Sequence, residues 1–374
     1  MNEEVLYAIA LTRLPGIGLA TALRLYQEMG SAKAVYENRA KIADFIEGST
    51  PRLVENLQHW EESLRRAQDE LLFDREHGVT PLPFCDERYP QRLRECPDAP
   101  LVLYYKGTRE LNAAKVVSIV GTRHCTTYGQ DLVRRFCKDL SLLCPDTLVV
   151  SGLAYGVDIN AHREALANGL PTVGVLAHGL DDLYPPRHRQ TADEMVKNGG
   201  LLTEYMSMSV VDKGNFVRRN RIVAGMADAV LLVESGAKGG GLITCGIARD
   251  YNRDVFAFPG LVGAPYSEGC NNLIRDNGAA LITSAEDFVK AMGWQTVRQH
   301  QEAREQGVER QLFPDFTEEE KRVVDALLQT NDQQMNLLSV KTGIPIGQLT
   351  ALLFSLEMKG VVKPYSGGTY HLIR

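Results

Sequence analysis

The amino-acid sequence predicts an α/β fold: a doubly wound parallel sheet between an N-terminal helical domain and a C-terminal winged-helix domain. Three observations predict it. After Lys115, seven short β-branched runs (KVVSIVG, TLVVSG, PTVGVLA, GGLLTEY, DAVLLVES, DVFAFPG and AALIT) alternate with helical segments, the texture of parallel strands joined by crossover helices. Ahead of them the chain has helical periodicity, and its last stretch, 317–374, outlines three helices and a hairpin.

Residues 1–78 carry YAIALTRL and ATALRLYQEM around the turn PGIG, then the amphipathic PRLVENLQHWEESLRRAQDELLFD. The segment 79–100 holds five prolines and reads as a connector into a short strand, LVLYYKG. The sheet domain spans 79–294. Its strands are continuously apolar, as a sheet covered on both faces requires, and right-handed crossovers bring every strand-to-helix turn to one edge, where such sheets bind ligands. Residues 295–316 are polar without an apolar stripe and read as a linker. A winged helix-turn-helix is expected from TEEEKRVVDALLQ, MNLLSVKTG, IGQLTALLFSLEMKG and VVKPYSGGTYHLI.

With 374 residues, 44% hydrophobic and 24% charged, the chain has ample material for two or three domains. No long apolar run could span a bilayer, and the acidic start MNEEV is the wrong flank for a secretory signal, so a cytoplasmic protein is expected. The seven cysteines are odd in number and no two have C-x-x-C spacing, which points to reduced thiols. A formal charge of -6 argues against indiscriminate polyanion binding, so any such partner must use a local patch.

Three turns at the strand ends carry possible chemistry. GTRHCTTYG (121–129) places Arg123 beside a glycine, where it could grip a phosphate or pair with a carboxylate across the sheet edge. It is not G-x-G-x-x-G, and the missing dinucleotide fingerprint speaks against a nicotinamide cofactor. SGLAYGVD (151–158) ends a strand at Ser151 and Gly152 and opens a helix whose free amides favour an anion. Asp158 reads there as a carboxylate complementing the helix dipole, and His162 as a hydrogen-bonded structural residue. ESGAKGGGLIT (234–244) offers the amides of Gly240 and Gly241 with Thr244 in the first helical turn, although Gly239 could serve tight packing alone. No P-loop sequence is present and no cofactor or metal is expected.

DKGNFVRRNRI (212–222) reads as a fourth loop at the same edge. Lys213, Arg219 and Arg221 could meet successive phosphates, while Phe216 could stack on a base or pack into the core and Arg218 could be a solvated charge.

With these residues assembled, the chain resembles the DNA-processing protein A family (DprA, also called Smf), single-stranded DNA-binding recombination mediators of bacterial natural transformation. VGTRHCTTYG is similar to the family's VGTRxxSxYG, SGLAYGVDINAHREAL to SGxAxGIDxxAHxxAL and NFVRRNRIVAG to xFPxRNRIIAG, and the likeness runs over about 80–290. The resemblance implies an extended Rossmann-like domain that binds single-stranded DNA, forms a homodimer, needs no cofactor and hands the strand to the recombinase RecA. It puts Arg123, Ser151, Gly152, Lys213, Phe216, Arg219 and Asn220 at the DNA groove. The chain departs from the pattern at Val217, where proline is usual, at Gly240, where serine is common, and at His188, where asparagine is typical. The competing reading is a nucleotide phosphoribohydrolase of the LOG type, whose PGGxGTxxE has no matching acid in ESGAKGGGLIT. At the flanks, LPGIG resembles a helix-hairpin-helix turn, and IGQLTALLFSLEMKG, with Glu357 and Lys359, is poorly suited to reading a major groove.

Overall fold

A computed structural model describes residues 3–294, 296–297, 316–365 and 368–373. The 295–316 segment read as a linker lies outside the described residues except for 296, 297 and 316. The chain forms two compact units, Met1–Val297 and Arg298–Arg374.

The first unit opens with α1 (Glu3–Leu11), α2 (Leu19–Met29), α3 (Ala32–Glu37), α4 (Pro51–Asn56) and α5 (Glu61–His77). Ser31 and Thr50 start α3 and α4, their side chains accepting from the amides of Ala34 and Leu53 and so satisfying donors that a helix start leaves open. The apolar faces of these helices share one core with Leu101, Val102 and Tyr104, so the helical region packs directly on the sheet.

The proline-rich segment does more than connect. It supplies β1 (Thr80–Pro83) and α6 (Gln91–Arg94). Pro81 and Pro83 are tolerated because β1 is an edge strand that pairs with β2 (Val102–Gly107) alone. The sheet continues with β3 (Val116–Val120), β4 (Leu148–Ser151), β5 (Thr172–Val175), β6 (Gly199–Thr203), β7 (Ala229–Leu232), β8 (Asp254–Ala257) and β9 (Ala280–Leu281). The spatial order is β1-β2-β6-β5-β4-β3-β7-β8-β9. The seven strands β3 to β9 are parallel to their neighbours within that set, as the β-branched runs predict, and β2 joins β6 antiparallel.

The crossovers are α7 (Thr127–Leu143), α8 (Val157–Ala167), α9 (Arg189–Lys197), α10 (Lys213–Gly225), α11 (Gly240–Asp250) and α12 (Glu268–Arg275), and α13 (Ala285–Ala291) follows β9. α7, α8 and α13 cover one sheet face around Phe136 and Phe288, and α10, α11 and α12 the other around Ile222 and Cys245. The chain winds outward from β3 through β4, β5 and β6, then returns beside β3 as β7. Turns leaving the adjacent tips of β3 and β7 in opposite directions open the crevice of a doubly wound sheet.

The second unit has helices Glu318–Gln329, Met335–Thr342 and Ile346–Met358 and an antiparallel sheet of β10 (Gln333–Gln334), β11 (Val362–Tyr365) and β12 (Thr369–Leu372), ordered β10-β12-β11. Thr317 and Glu320 close a reciprocal cap on its first helix. None of the seven cysteines is in a disulfide.

One buried feature of α5 makes stability depend on pH. Glu70 and Asp74 lie one turn apart, 1% and 2% exposed. Glu70 accepts from the Ser207 amide at 2.7 Å and from Arg66 at 2.9 Å, whereas both Asp74 carboxyl oxygens lack a hydrogen-bond partner. Burial, reinforced by the charge of Glu70, raises the Asp74 pKa from 3.8 to about 8. The folded chain therefore keeps a proton that the unfolded chain releases, and this group makes stability fall as pH rises from 3.8 to about 8. Asp74→Asn is expected to remove that slope. Melting temperatures compared at about pH 5 and about pH 9 should fall less for the variant than for the parent chain.

Candidate nucleic-acid interface

Four segments converge at the switch point: the turn after β3, the turn after β4, the first turns of α10, and the turn from β7 into α11. Together they enclose a cleft of about 280 Å³ whose lining includes Arg123, Gly152, Phe216, Arg219, Asn220, Gly240, Gly241 and Thr244. Chain-distant groups read separately from the sequence thus meet in one place.

Local chemistry fixes each turn. Glu234 at the end of β7 accepts from the Thr126 amide at 2.8 Å and the Thr126 hydroxyl at 2.6 Å, tethering the β3 turn, while Thr126 also caps α7. Gly156 opens α8 at φ +79, and a Cβ there would lie 2.1 Å from the Thr122 carbonyl oxygen, so only glycine fits. Gly152 is equally constrained, since a Cβ would approach Arg219 Nη2 to 2.5 Å and Asp158 Oδ2 to 2.6 Å. Gly241 presses against Leu232, whereas Gly240 faces open space.

Residues 213–222 are helical, not the loop the sequence suggested: Asp212 precedes α10 and Lys213 begins it. Helical spacing then sorts its charges. Lys213, Phe216, Val217 and Asn220 fall at i, i+3, i+4 and i+7 on one face, and Phe216, Val217 and Asn220 line the cleft. Lys213 is exposed at the first position of that face. Arg218 and Arg221 fall on a different face and line a separate concavity.

Arg123 is exposed, and among the described residues it forms no ion pair, which removes the carboxylate-partner alternative. Its guanidinium carbon lies 5.4 Å from the Phe216 ring centroid, a cation–π arrangement that holds the charge at the cleft mouth. Tyr184 meets the same ring edge-on at 5.8 Å and is 45% exposed, and Tyr155 is 41% exposed. Phe216 is thus half-buried at the rim. Tyr155, within SGLAYGVD, and Tyr184 were missed as site residues, because chain spacing does not show that the loops of β4 and β5 deliver them to one rim.

Arg219 behaves differently from the expected phosphate partner. It is 3% exposed, and Nη1 donates to the carbonyl oxygens of Gly152 (2.6 Å) and Val175. Burial lowers its pKa, Asp158 opposing. Burial likewise raises that of Asp158, with Arg219 pulling the other way. Arg219 sits in the floor with Asp158 as a neighbouring opposite charge, and its carbonyl bonds tie the ends of β4 and β5 to α10. Two further expectations need correction. The Ser151 hydroxyl is fully buried and donates to the Ile119 carbonyl at 2.6 Å, so it has no free face toward a ligand. Arg221 is 8% exposed, pairs with Glu204 at 2.5 Å and does not line the cleft.

His162 is the structural residue expected. The Thr172 hydroxyl donates to the Val149 carbonyl at 2.9 Å, so it accepts from His162 Nδ1 at 2.7 Å. Burial lowers the His162 pKa to about 3 and keeps the ring neutral.

Phe216→Ala is expected to weaken the binding of any unpaired polynucleotide in this cleft by about 1–3 kcal/mol with the salt dependence retained. Titrations at several salt concentrations would check this, and unchanged affinity would assign the ring to packing alone.

Fold and crevice define the class: an open, doubly wound α/β protein whose switch point carries uncapped helix starts, a free arginine and exposed aromatic rings. The chain belongs to the DNA recombination-mediator protein A family, which it matches over residues 80–293. It is 31% identical over 400 residues to Protein Smf of Synechocystis, covering 99% of both chains. It is 39% identical over 204 residues to DNA processing protein DprA of Streptococcus pneumoniae, covering 54% of this chain and 71% of that one. The X-ray structure of the S. pneumoniae protein aligns with TM-score 0.64 and 32% identity over 76% of this chain and 97% of that chain. DNA processing protein A from Helicobacter pylori, solved to explain its single-stranded DNA binding mode, aligns with TM-score 0.52 and 28% identity over 57% and 95%.

Proposed function

We propose that this protein binds single-stranded DNA in the switch-point cleft, protects it and passes it to a RecA recombinase during natural transformation, acting as a homodimer. One observation carries the DNA reading: the uncompensated Arg123 guanidinium held against the Phe216 ring at 5.4 Å, which joins a phosphate partner to a base-stacking surface. The uncapped start of α11 adds backbone donors for a second phosphate. Family membership and the H. pylori relative support the same ligand. Delivery to RecA and dimerisation rest on the family resemblance.

Anisotropy titrations with single-stranded and duplex oligonucleotides at two salt concentrations test this reading. It predicts preference for the single strand and affinity that falls with salt. No catalytic step is assigned. Release of free base from AMP, lost in an Arg123 variant, would favour the phosphoribohydrolase reading instead.

A further inference from the structure

The far side of α10 and the start of α2 enclose a second concavity, of about 300 Å³, lined by Arg13, Gly18, Leu19, Tyr205, Arg218 and Arg221 among others. α2 is eleven residues long, and no side chain caps its start at Gly18, so its leading amides present donors and partial positive charge to that space. Unpartnered polar atoms lie in the residues behind it. Arg221 is 8% exposed, yet its Nη1 has no hydrogen-bond partner, and the Tyr205 hydroxyl has none either. Both atoms are shut off from solvent, within residues that line the same concavity.

The charge balance selects the ligand. Glu204 also lines the space: its Oε2 is taken by Arg221 at 2.5 Å, its Oε1 has no hydrogen-bond partner, Asp98 lies 3.8 Å from Arg221 Nε, and burial raises the Glu204 pKa, with Arg221 opposing. Arg13 and Arg218 are exposed and form no ion pair among the described residues. Three guanidiniums against one carboxylate, two of them free of ion pairs, together with an uncapped helix start, call for a compact anion with several acceptor oxygens. We propose that this concavity is a second phosphate-binding site, on the opposite side of α10 from the cleft. Its phosphate source is either the backbone of a polynucleotide that also occupies the cleft, which rests on the function proposed above, or a free phosphate group.

The double variant Arg13→Ala, Arg218→Ala separates these sources, and exposed, unpaired positions allow it to fold. Binding of thymidylate strands of about six and about thirty nucleotides is compared across salt for parent, double variant and Arg123→Ala. Thermal stabilisation by millimolar inorganic phosphate is measured alongside. The expected result is a several-fold loss of long-strand affinity in the double variant, with the log–log salt slope reduced by about 0.7 per lost single-strand phosphate contact. That result assigns the backbone source. Unchanged DNA binding with lost stabilisation by phosphate assigns the free anion. A double variant indistinguishable from the parent in both measurements overturns the site. If Arg123→Ala leaves both strands bound as before, the cleft reading fails, and the second site stands or falls on the double variant alone.

Discussion

Arg123→Ala is expected to weaken single-stranded DNA binding by roughly tenfold and to reduce the log–log salt slope by about 0.7, the loss of one single-strand phosphate contact. The basis is position and freedom. Arg123 leaves the tip of β3 beside the switch point, is exposed, and rests over Phe216 without a carboxylate partner. Its charge is therefore available to a phosphate without breaking an internal bond, and its removal exposes no buried group. The melting temperature should stay close to that of the parent protein. Arg123→Lys should recover the charge but only part of the affinity, because an ammonium cannot make a bidentate contact. Equal affinity and slope in the alanine variant would remove Arg123 from the interface.

Arg219→Ala should have the opposite signature. Taking away this guanidinium leaves the Gly152 and Val175 carbonyl groups without their donor and leaves Asp158 buried beside no cation. Leaving buried acceptors without their donor costs about 1–3 kcal/mol each, which chemical denaturation would register as a large drop in midpoint. DNA affinity should fall as well, since the floor of the cleft loosens, but the salt slope measured on the folded fraction should change less than in Arg123→Ala. Lysine should not rescue stability, because one ammonium cannot reproduce the planar set of donors. A variant as stable as the parent, with a reduced slope, would return Arg219 to the role of phosphate partner.

These contrasting outcomes show where the sequence was legible. The seven parallel strands could be read because each is a short apolar β-branched run bounded by turn residues, and their fixed polarity required the turns to share an edge. β1 could not be read this way, since TPLP has the composition of a break and becomes a strand only through the single pairing with β2. The cleft was visible as a list of turns, and the structure brings eight of the expected residues together there. What failed was the assignment of roles within DKGNFVRRNRI. Lys213, Arg219 and Arg221 looked equivalent in a loop, with Arg218 set apart as a solvated charge, but a helix sends Lys213 to the cleft face, Arg219 into the floor, and Arg218 and Arg221 to another concavity. The i, i+3, i+4 spacing held that information. Only the decision that these residues are helical makes it usable, and Gly214 in the first turn obscured it. Tyr184 illustrates a different limit, because its contact with Phe216 joins the loop after β5 to α10 through tertiary structure alone.

The most direct test of the cleft is photo-crosslinking of an iodouracil-substituted single strand to the intact protein, with the modified peptides mapped by mass spectrometry. Crosslinks are expected on the rim aromatics Phe216, Tyr155 and Tyr184. A strand that binds with full affinity yet crosslinks only outside the segments 121–126, 152–158, 184–188, 213–220 and 239–244 would contradict the account.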